Sequence, residues 1–94
     1  MEVVRYVSHL EWRLRLRRIP RTLPERVYRE ADERFYDVIT GHEIAVKRLT
    51  YRRKRRDMMV AYDRGPGVVE LVTIHPLQPA QKQLRIRHGR WKPL

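Results

Sequence analysis

Residues 57–75 read DMMVAYDRGPGVVELVTIH, and this stretch decides the fold. Asp57–Asp63 is a run of β-forming apolar residues and predicts a strand. The segment Asp63–Gly67 combines glycine with proline and predicts a tight turn. Val68–His75 is the most apolar run of the chain and predicts a strand in the centre of a sheet. Because the link between them is so short, the two strands are expected to pair antiparallel.

Two more strand-forming runs precede this stretch. Arg34–Thr40 ends at a glycine turn, and Glu43–Tyr51 follows it. The wholly basic segment Arg52–Arg56 is interpreted as a charged hairpin tip between strands. Beyond a predicted loop, Gln83–Ile86 is expected to form a short edge strand. Short links between successive strands predict an antiparallel meander of about four strands.

The first third of the chain predicts two helices. Ser8–Ile19 opens on a capping box and spaces its apolar residues as a helix does. A second capping box begins at Thr22, and its short helix is expected to end near Ala31. The expected fold class is therefore α+β, as a single domain over residues 1–94. Two N-terminal helices would pack on one face of a twisted antiparallel sheet of about four strands, leaving the other face without helices.

Net charge is the strongest feature of the composition. The chain has 22 Lys and Arg against 11 Asp and Glu, a formal charge of +11, and 18 of the cations are arginine. Arginine binds phosphate through a planar fork, so nucleic acid is the first partner to expect. The absence of cysteine excludes disulfides, thiolate catalysis and zinc fingers. No apolar run reaches the ~20 residues of a membrane span and no signal-peptide pattern is present, so a cytoplasmic protein without membrane association is expected.

Three cationic side chains interrupt the apolar side of the first predicted helix. His9, Arg13 and Arg17 fall between two apolar flanks when the helix is drawn at roughly 100° per residue. Burying unpaired charge is costly, so this stripe is expected to border a groove that holds an anion. The alternatives are that the side chains reach solvent or pair with acids. The flanks are Leu10 and Leu14 on one side, and Trp12, Leu16 and Ile19 on the other, with Trp12 expected in the core.

Two histidines are the candidate proton-transfer groups. His75 ends the most apolar strand, and by period two it is expected on the same face as Val69 and Leu71. His9 lies one helical turn from Arg13. Such groups can cleave RNA without a metal, because imidazole transfers protons near pH 7 and guanidinium stabilises the phosphate as the 2′-OH attacks. Each histidine alone also fits a structural role, and the sequence does not show that the two meet.

Two basic clusters are candidate RNA-binding surfaces that would contact phosphates. Tyr62 could hydrogen-bond a phosphate, although core packing is favoured, and Trp91 is expected to anchor the C-terminal segment rather than stack on a base. No metal or cofactor is predicted, because the histidines lack ligand spacing and the acids are scattered. The cationic candidates are Arg17, Arg52, Arg53, Lys54, Arg55, Arg56, Arg87 and Arg90.

The order of these motifs resembles a known group of proteins. The pieces Thr73-Ile74-His75-Pro76 and Gly89-Arg90-Trp91, after a helix with His9 and Arg13, are similar to those of small prokaryotic proteins related to RelE-type toxins. These belong with the metal-independent ribonucleases of barnase and colicin-type fold. The resemblance implies an RNA-cleaving groove and an antitoxin partner with an acidic segment. By position it implies the catalytic residues His9, Arg13, His75 and Arg85, with Tyr62 and Arg90 as further contacts.

Three functions are compatible with the sequence. The first is a toxin-type, metal-independent endoribonuclease that cleaves RNA by 2′-OH attack. The alternative is a non-catalytic RNA- or DNA-binding protein, ribosome-associated or viral, that uses the same basic surfaces. The third is a structural protein whose arginine stripe is neutralised by its own acids, such as Asp37, Glu43 or Glu70.

Overall fold

The computed structural model describes residues 2–94 as an α+β domain with six strands and three helices. In chain order the elements are β1 (Val3–Tyr6), α1 (Ser8–Leu16), α2 (Leu23–Arg29), β2 (Glu33–Asp37), β3 (Glu43–Tyr51), β4 (Lys54–Gly65), β5 (Val68–Leu77), α3 (Pro79–Arg87) and β6 (Trp91–Pro93). The strands form one sheet in the order β1–β5–β4–β3–β2–β6. Strand β1 runs parallel to β5, and every other neighbouring pair is antiparallel.

The predicted antiparallel sheet of about four strands is wrong. Short edge strands, β1 with four residues and β6 with three, extend it to a mixed sheet of six. Strand β5 is interior but not central, since β4 and β3 occupy the middle. The edge strand expected over Gln83–Ile86 lies inside α3, so the helices are not confined to the N-terminal part.

Helices α1 and α2 cover the first face of the sheet and form the larger core. Leu10 and Leu14 of α1 and Val27 and Tyr28 of α2 are buried against it. Neither predicted capping box forms, because the N-cap residues Val7 and Thr22 make no side-chain hydrogen bond to their helices. In the first turn of α2, the Glu25 amide donates instead to the Tyr6 hydroxyl at 3.2 Å. The strand residues of this core are Ala45, Leu49, Met58, Val60, Tyr62, Val69, Leu71 and Ile74.

The second face of the sheet was expected to be free of helices, and this expectation is wrong. Helix α3 lies against it, with Ile86 packed on the apolar cluster of that face. Strand β6 adds Trp91, which stacks on Phe35 with ring centroids 5.3 Å apart. The interpretation of Trp91 as an anchor is confirmed, because its side chain is buried. The cluster consists of Phe35, Ile44, Val46, Met59, Ala61, Leu77 and Trp91.

A β-bulge in β5 changes which face the end of this strand presents. Tyr62 pairs with Leu71 but Ala61 pairs with Thr73, so Val72 is an extra residue in the ladder. Beyond the bulge, His75 pairs with Met59, which belongs to the cluster of the second face. The expectation that His75 shares a face with Val69 and Leu71 is therefore wrong.

A buried carboxylate ties β2 to β6. Asp37 accepts hydrogen bonds from the guanidinium of Arg90 at 3.1 and 3.2 Å, from the Trp91 indole at 3.2 Å, and from the backbone amides of Ile39 and Thr40 at 2.9 and 3.3 Å. Burial alone would raise the pKa of Asp37, but these hydrogen bonds outweigh it and lower the pKa to about 2. The carboxylate is therefore ionised and fully partnered inside the fold.

Candidate nucleic-acid interface

Helix α1 turns only one of its two apolar flanks towards the core. Leu10 and Leu14 are 1% and 3% exposed, whereas Trp12 and Leu16 are 52% and 63% exposed. The expectation of a core position for Trp12 is wrong. With α1 rotated in this way, the cationic stripe between the flanks borders solvent, so no charge on it has to be buried.

The outward side of α1 combines aromatic, aliphatic and cationic side chains. His9 and Trp12 lie side by side, with ring centroids 6.0 Å apart, and both are exposed. Spacings of three and four residues place these side chains on one continuous surface. We call it the α1 strip, and it consists of His9, Trp12, Arg13, Leu16 and Arg17.

The acidic side chains are engaged elsewhere. Glu43 contacts Arg64 at 2.9 Å and Glu70 contacts Arg5 at 3.2 Å, while Asp37 holds Arg90. These three acids are the examples given for the third alternative, a structural protein that neutralises its own arginine stripe, and none of them pairs with that stripe. The other acids pair as Glu11 with Arg21, Glu25 with Arg29, Glu30 with Arg26, Asp32 with Lys47, Glu33 with Lys82, Asp57 with Arg48 and Lys82, Asp63 with His42, and Glu2 with Tyr28.

Most of the cations without a salt bridge among the described residues therefore lie in two neighbouring places; the others are Arg34, Arg85, Arg87 and Lys92. Within residues 2–94, the cations of the second half of α1 and of the β3–β4 hairpin form no salt bridge. The two groups meet where Arg52 Nη2 donates a 2.8 Å hydrogen bond to the Arg17 carbonyl oxygen. The cations are Arg13, Arg15, Arg17 and Arg18 on the helix side, and Arg52, Arg53, Lys54, Arg55 and Arg56 on the hairpin side.

The hairpin tip is tighter than predicted. Only Arg52 and Arg53 form the turn, because Tyr51 already pairs with Lys54 across the ladder. The Arg52 guanidinium lies 5.1 Å from the centroid of the Tyr51 ring, and that of Arg56 lies 5.9 Å from it. Arg56 Nε is buried without a hydrogen-bond acceptor among the described residues. The tip thus presents closely spaced guanidinium groups around one aromatic ring.

The predicted catalytic residues are divided between the two faces of the sheet. His9 and Arg13 stand on α1, which covers the first face, whereas His75 lies on the second. Arg85 is also on the second face, since its Nη1 lies 3.8 Å from Met59 Sδ and its guanidinium 5.0 Å from the Trp91 ring centroid. His75 and Arg85 are both neighbours of Met59 on the second face, whereas His9 lies with α1 on the first, so the two-histidine site does not form.

Three other predicted contact residues have different surroundings. Tyr62 is fully buried and accepts a 3.0 Å hydrogen bond from Arg34 Nη1, so its prediction as a phosphate contact is wrong and its packing role is confirmed. Arg90 is held by Asp37. Arg87 is exposed at the end of α3, away from the α1 strip. Burial, and then the charge of Arg90, lower the pKa of the Arg85 guanidinium.

Residues 2–94 contain no group of three or more His, Asp or Glu side chains that could hold a metal ion. No helix in that range has the length and apolarity that a membrane crossing requires. The chain matches no protein-family model, no curated protein and no solved structure.

Proposed function

We propose that the protein binds single-stranded RNA, with the α1 strip as the contact surface. The observation that carries this proposal is the half-exposed indole of Trp12 beside arginines that no acid neutralises. An aromatic ring flanked by cations suits a single strand, because unpaired bases stack on the ring while guanidinium groups contact the phosphates. A base inside a duplex is already stacked and cannot use the indole.

The geometry also explains why the cations lie where they do. Along α1, Arg13 and Arg17 follow the aromatic pair at one-turn intervals, about 6 Å apart. This spacing is close to the distance between successive phosphates of a strand, so one helix face can serve neighbouring nucleotides. The α1 strip thus supplies base contact and backbone contact together.

Trp12→Ala is expected to weaken RNA binding about 5-fold or more, because a stacked base contributes roughly 1–3 kcal/mol. Fluorescence anisotropy of a labelled oligouridylate of about 12 nucleotides at about 50 mM salt measures it. Trp12→Phe keeps an aromatic ring and should bind within about threefold of wild type. Equal affinity of Trp12→Ala and wild type, or no binding by wild type, contradicts the proposal.

A second candidate function is metal-independent RNA cleavage on the other face of the sheet. The specific observation is that Met59 neighbours both residues: His75 pairs with it across the β4–β5 ladder, and Arg85 Nη1 lies 3.8 Å from its Sδ. An imidazole for proton transfer and a partly desolvated guanidinium for phosphate charge are the minimum set for 2′-OH attack. In this version of the toxin-type proposal, His9 and Arg13 bind RNA rather than catalyse. An acidic antitoxin segment would compete with RNA for the α1 strip.

His75→Ala is expected to lower metal-free cleavage by roughly 10²–10⁴-fold while RNA affinity stays unchanged. The assay follows labelled RNA with EDTA present and protein in excess of RNA. His88→Ala, at an exposed histidine that follows α3, should cleave as wild type does. If wild type binds RNA without cleaving it, this second candidate fails and the binding function stands alone.

A further inference from the structure

Three arginines hold a backbone conformation that disfavours any side chain. The φ angles are 54° at Arg18, 51° at Arg52 and 65° at Arg53, all in the left-handed region. Residues with a Cβ are strained there, and glycine or asparagine is the usual occupant. Elsewhere this chain uses the unstrained choice, because its other positive φ angles within residues 2–94 are at Gly41, Gly67 and Gly89.

Each of the three positions is of a kind that usually carries glycine or asparagine. Arg18 follows the end of α1, where the amide of Ile19 donates to the Leu14 carbonyl oxygen at 2.9 Å and closes the helix. Glycine is the common residue at such a left-handed helix end. Arg52 and Arg53 form a two-residue hairpin turn with both φ angles positive, a turn for which Asn-Gly is typical. Local backbone energetics therefore do not account for arginine at these positions.

Two of the three strained arginines line one groove, and the third, Arg53, is next to them in the hairpin turn. A groove of about 400 Å³ lies between the α1–α2 connection and the hairpin tip, and Arg18, Arg52 and Tyr51 line it. Arg52 also reaches the end of α1 through its bond to the Arg17 carbonyl oxygen. Within the described residues, the side chains of Arg18 and Arg53 make no hydrogen bond or salt bridge. We call Arg17, Arg18, Arg52 and Arg53 the basic corner.

We propose that the basic corner is a phosphate-binding site for the sugar–phosphate backbone of the RNA whose base stacks on Trp12. This phosphate site rests on the proposed function, and it adds the path that the RNA strand takes beyond α1. Arginines that occupy strained backbone positions and have no acid to pair with indicate a ligand that supplies the negative charge. The planar guanidinium forks suit the oxygens of phosphate groups.

The test replaces Arg18 and Arg53 by glycine, singly and together. Because strain is relieved, each variant is expected to melt about 3–5 °C above wild type. RNA affinity should fall, and the slope of log affinity against log salt should decrease by about 0.7 for each phosphate that the variant no longer binds. Arg87→Gln on α3 removes an equal charge outside the corner and should leave affinity at low salt within about twofold of wild type.

The outcomes separate this proposal from the proposed function. If Trp12→Ala weakens binding but the glycine variants bind as wild type does, the corner is not a phosphate site and the binding function stands. A fall in melting temperature of the glycine variants would show a structural role for the arginines and also overturn the proposal. Inorganic tripolyphosphate provides an RNA-independent check, since it should raise the melting temperature of wild type more than that of the double variant.

Discussion

Asp37→Ala is expected to lower the free energy of unfolding by about 4 kcal/mol. The substitution leaves the Arg90 guanidinium and the Trp91 indole without their common acceptor in a buried setting, and it frees the turn amides of Ile39 and Thr40. Urea denaturation followed by far-ultraviolet circular dichroism measures the change. Asp63→Ala is the matched control: its carboxylate is exposed, so it should cost less than about 1 kcal/mol.

The same carboxylate gives the protein a defined response to acid. The pKa of Asp37 is about 2 in the folded protein and 3.8 in the unfolded chain, so the folded protein binds the proton more weakly than the unfolded chain does. Asp37 therefore contributes its stability fully above about pH 4 and loses it as the pH falls from about 4 to 2. Asp37→Asn should remove about 2 kcal/mol of this pH dependence. Equal acid slopes for Asp37→Asn and wild type would contradict the assignment.

Deletion of Val72 together with Thr73 is expected to abolish stable folding, the largest effect on stability that we predict. Only one of these two is the extra residue of the bulge, so removing both shifts the strand beyond them by one position, and every side chain from Ile74 onward changes face. Ile74 and Leu77 would leave their separate cores, at about 1.5–3 kcal/mol each, and His75 would enter the first core uncompensated. Dispersion of amide proton shifts and a cooperative melting transition report the result.

Deletion of Val72 alone is the control for the double deletion. It removes only the extra residue of the bulge, so Leu71 and Thr73 become consecutive and every residue from Thr73 onward keeps its partner on β4. This variant should fold, with dispersed amide proton shifts and a cooperative melting transition. A double-deletion variant that folds with nearly wild-type stability would contradict this register of β5.

The parts of the fold that could be predicted are those with long, regular patterns. The strands β3, β4 and β5, and the two helices that precede them, are recognisable because each carries a run of suitable side chains. Strands β1 and β6 are too short to show a period. Helix α3 packs only Ile86 on the apolar cluster of the second face. The rest of its sequence is largely polar and does not indicate a buried side. The bulge is invisible to period-two counting, and for that reason His75 was assigned to the wrong face.

The site was predicted in part. Charge counting along the sequence identified both the stripe on α1 and the hairpin tip as cationic. It could not identify Trp12 as exposed, because a helical wheel shows two apolar flanks without showing which one turns inward. Only one flank of α1 is buried for a physical reason. When Leu10 and Leu14 alone face the core, Arg13 and Arg17 stay in contact with water. The cations between the two flanks were therefore the sequence feature that could have indicated how α1 is rotated about its axis.

The two outer strands of the sheet also affect how the protein behaves at high concentration. Unpaired backbone at a sheet margin can template a neighbouring molecule and start aggregation. Here one margin is β6, with three residues that include Pro93, which has no amide hydrogen to donate. The opposite margin, β1, has four residues and places Arg5 among them. Because both edge strands are short, neighbouring molecules have little unpaired backbone to extend, and we expect the protein to resist fibril-like stacking.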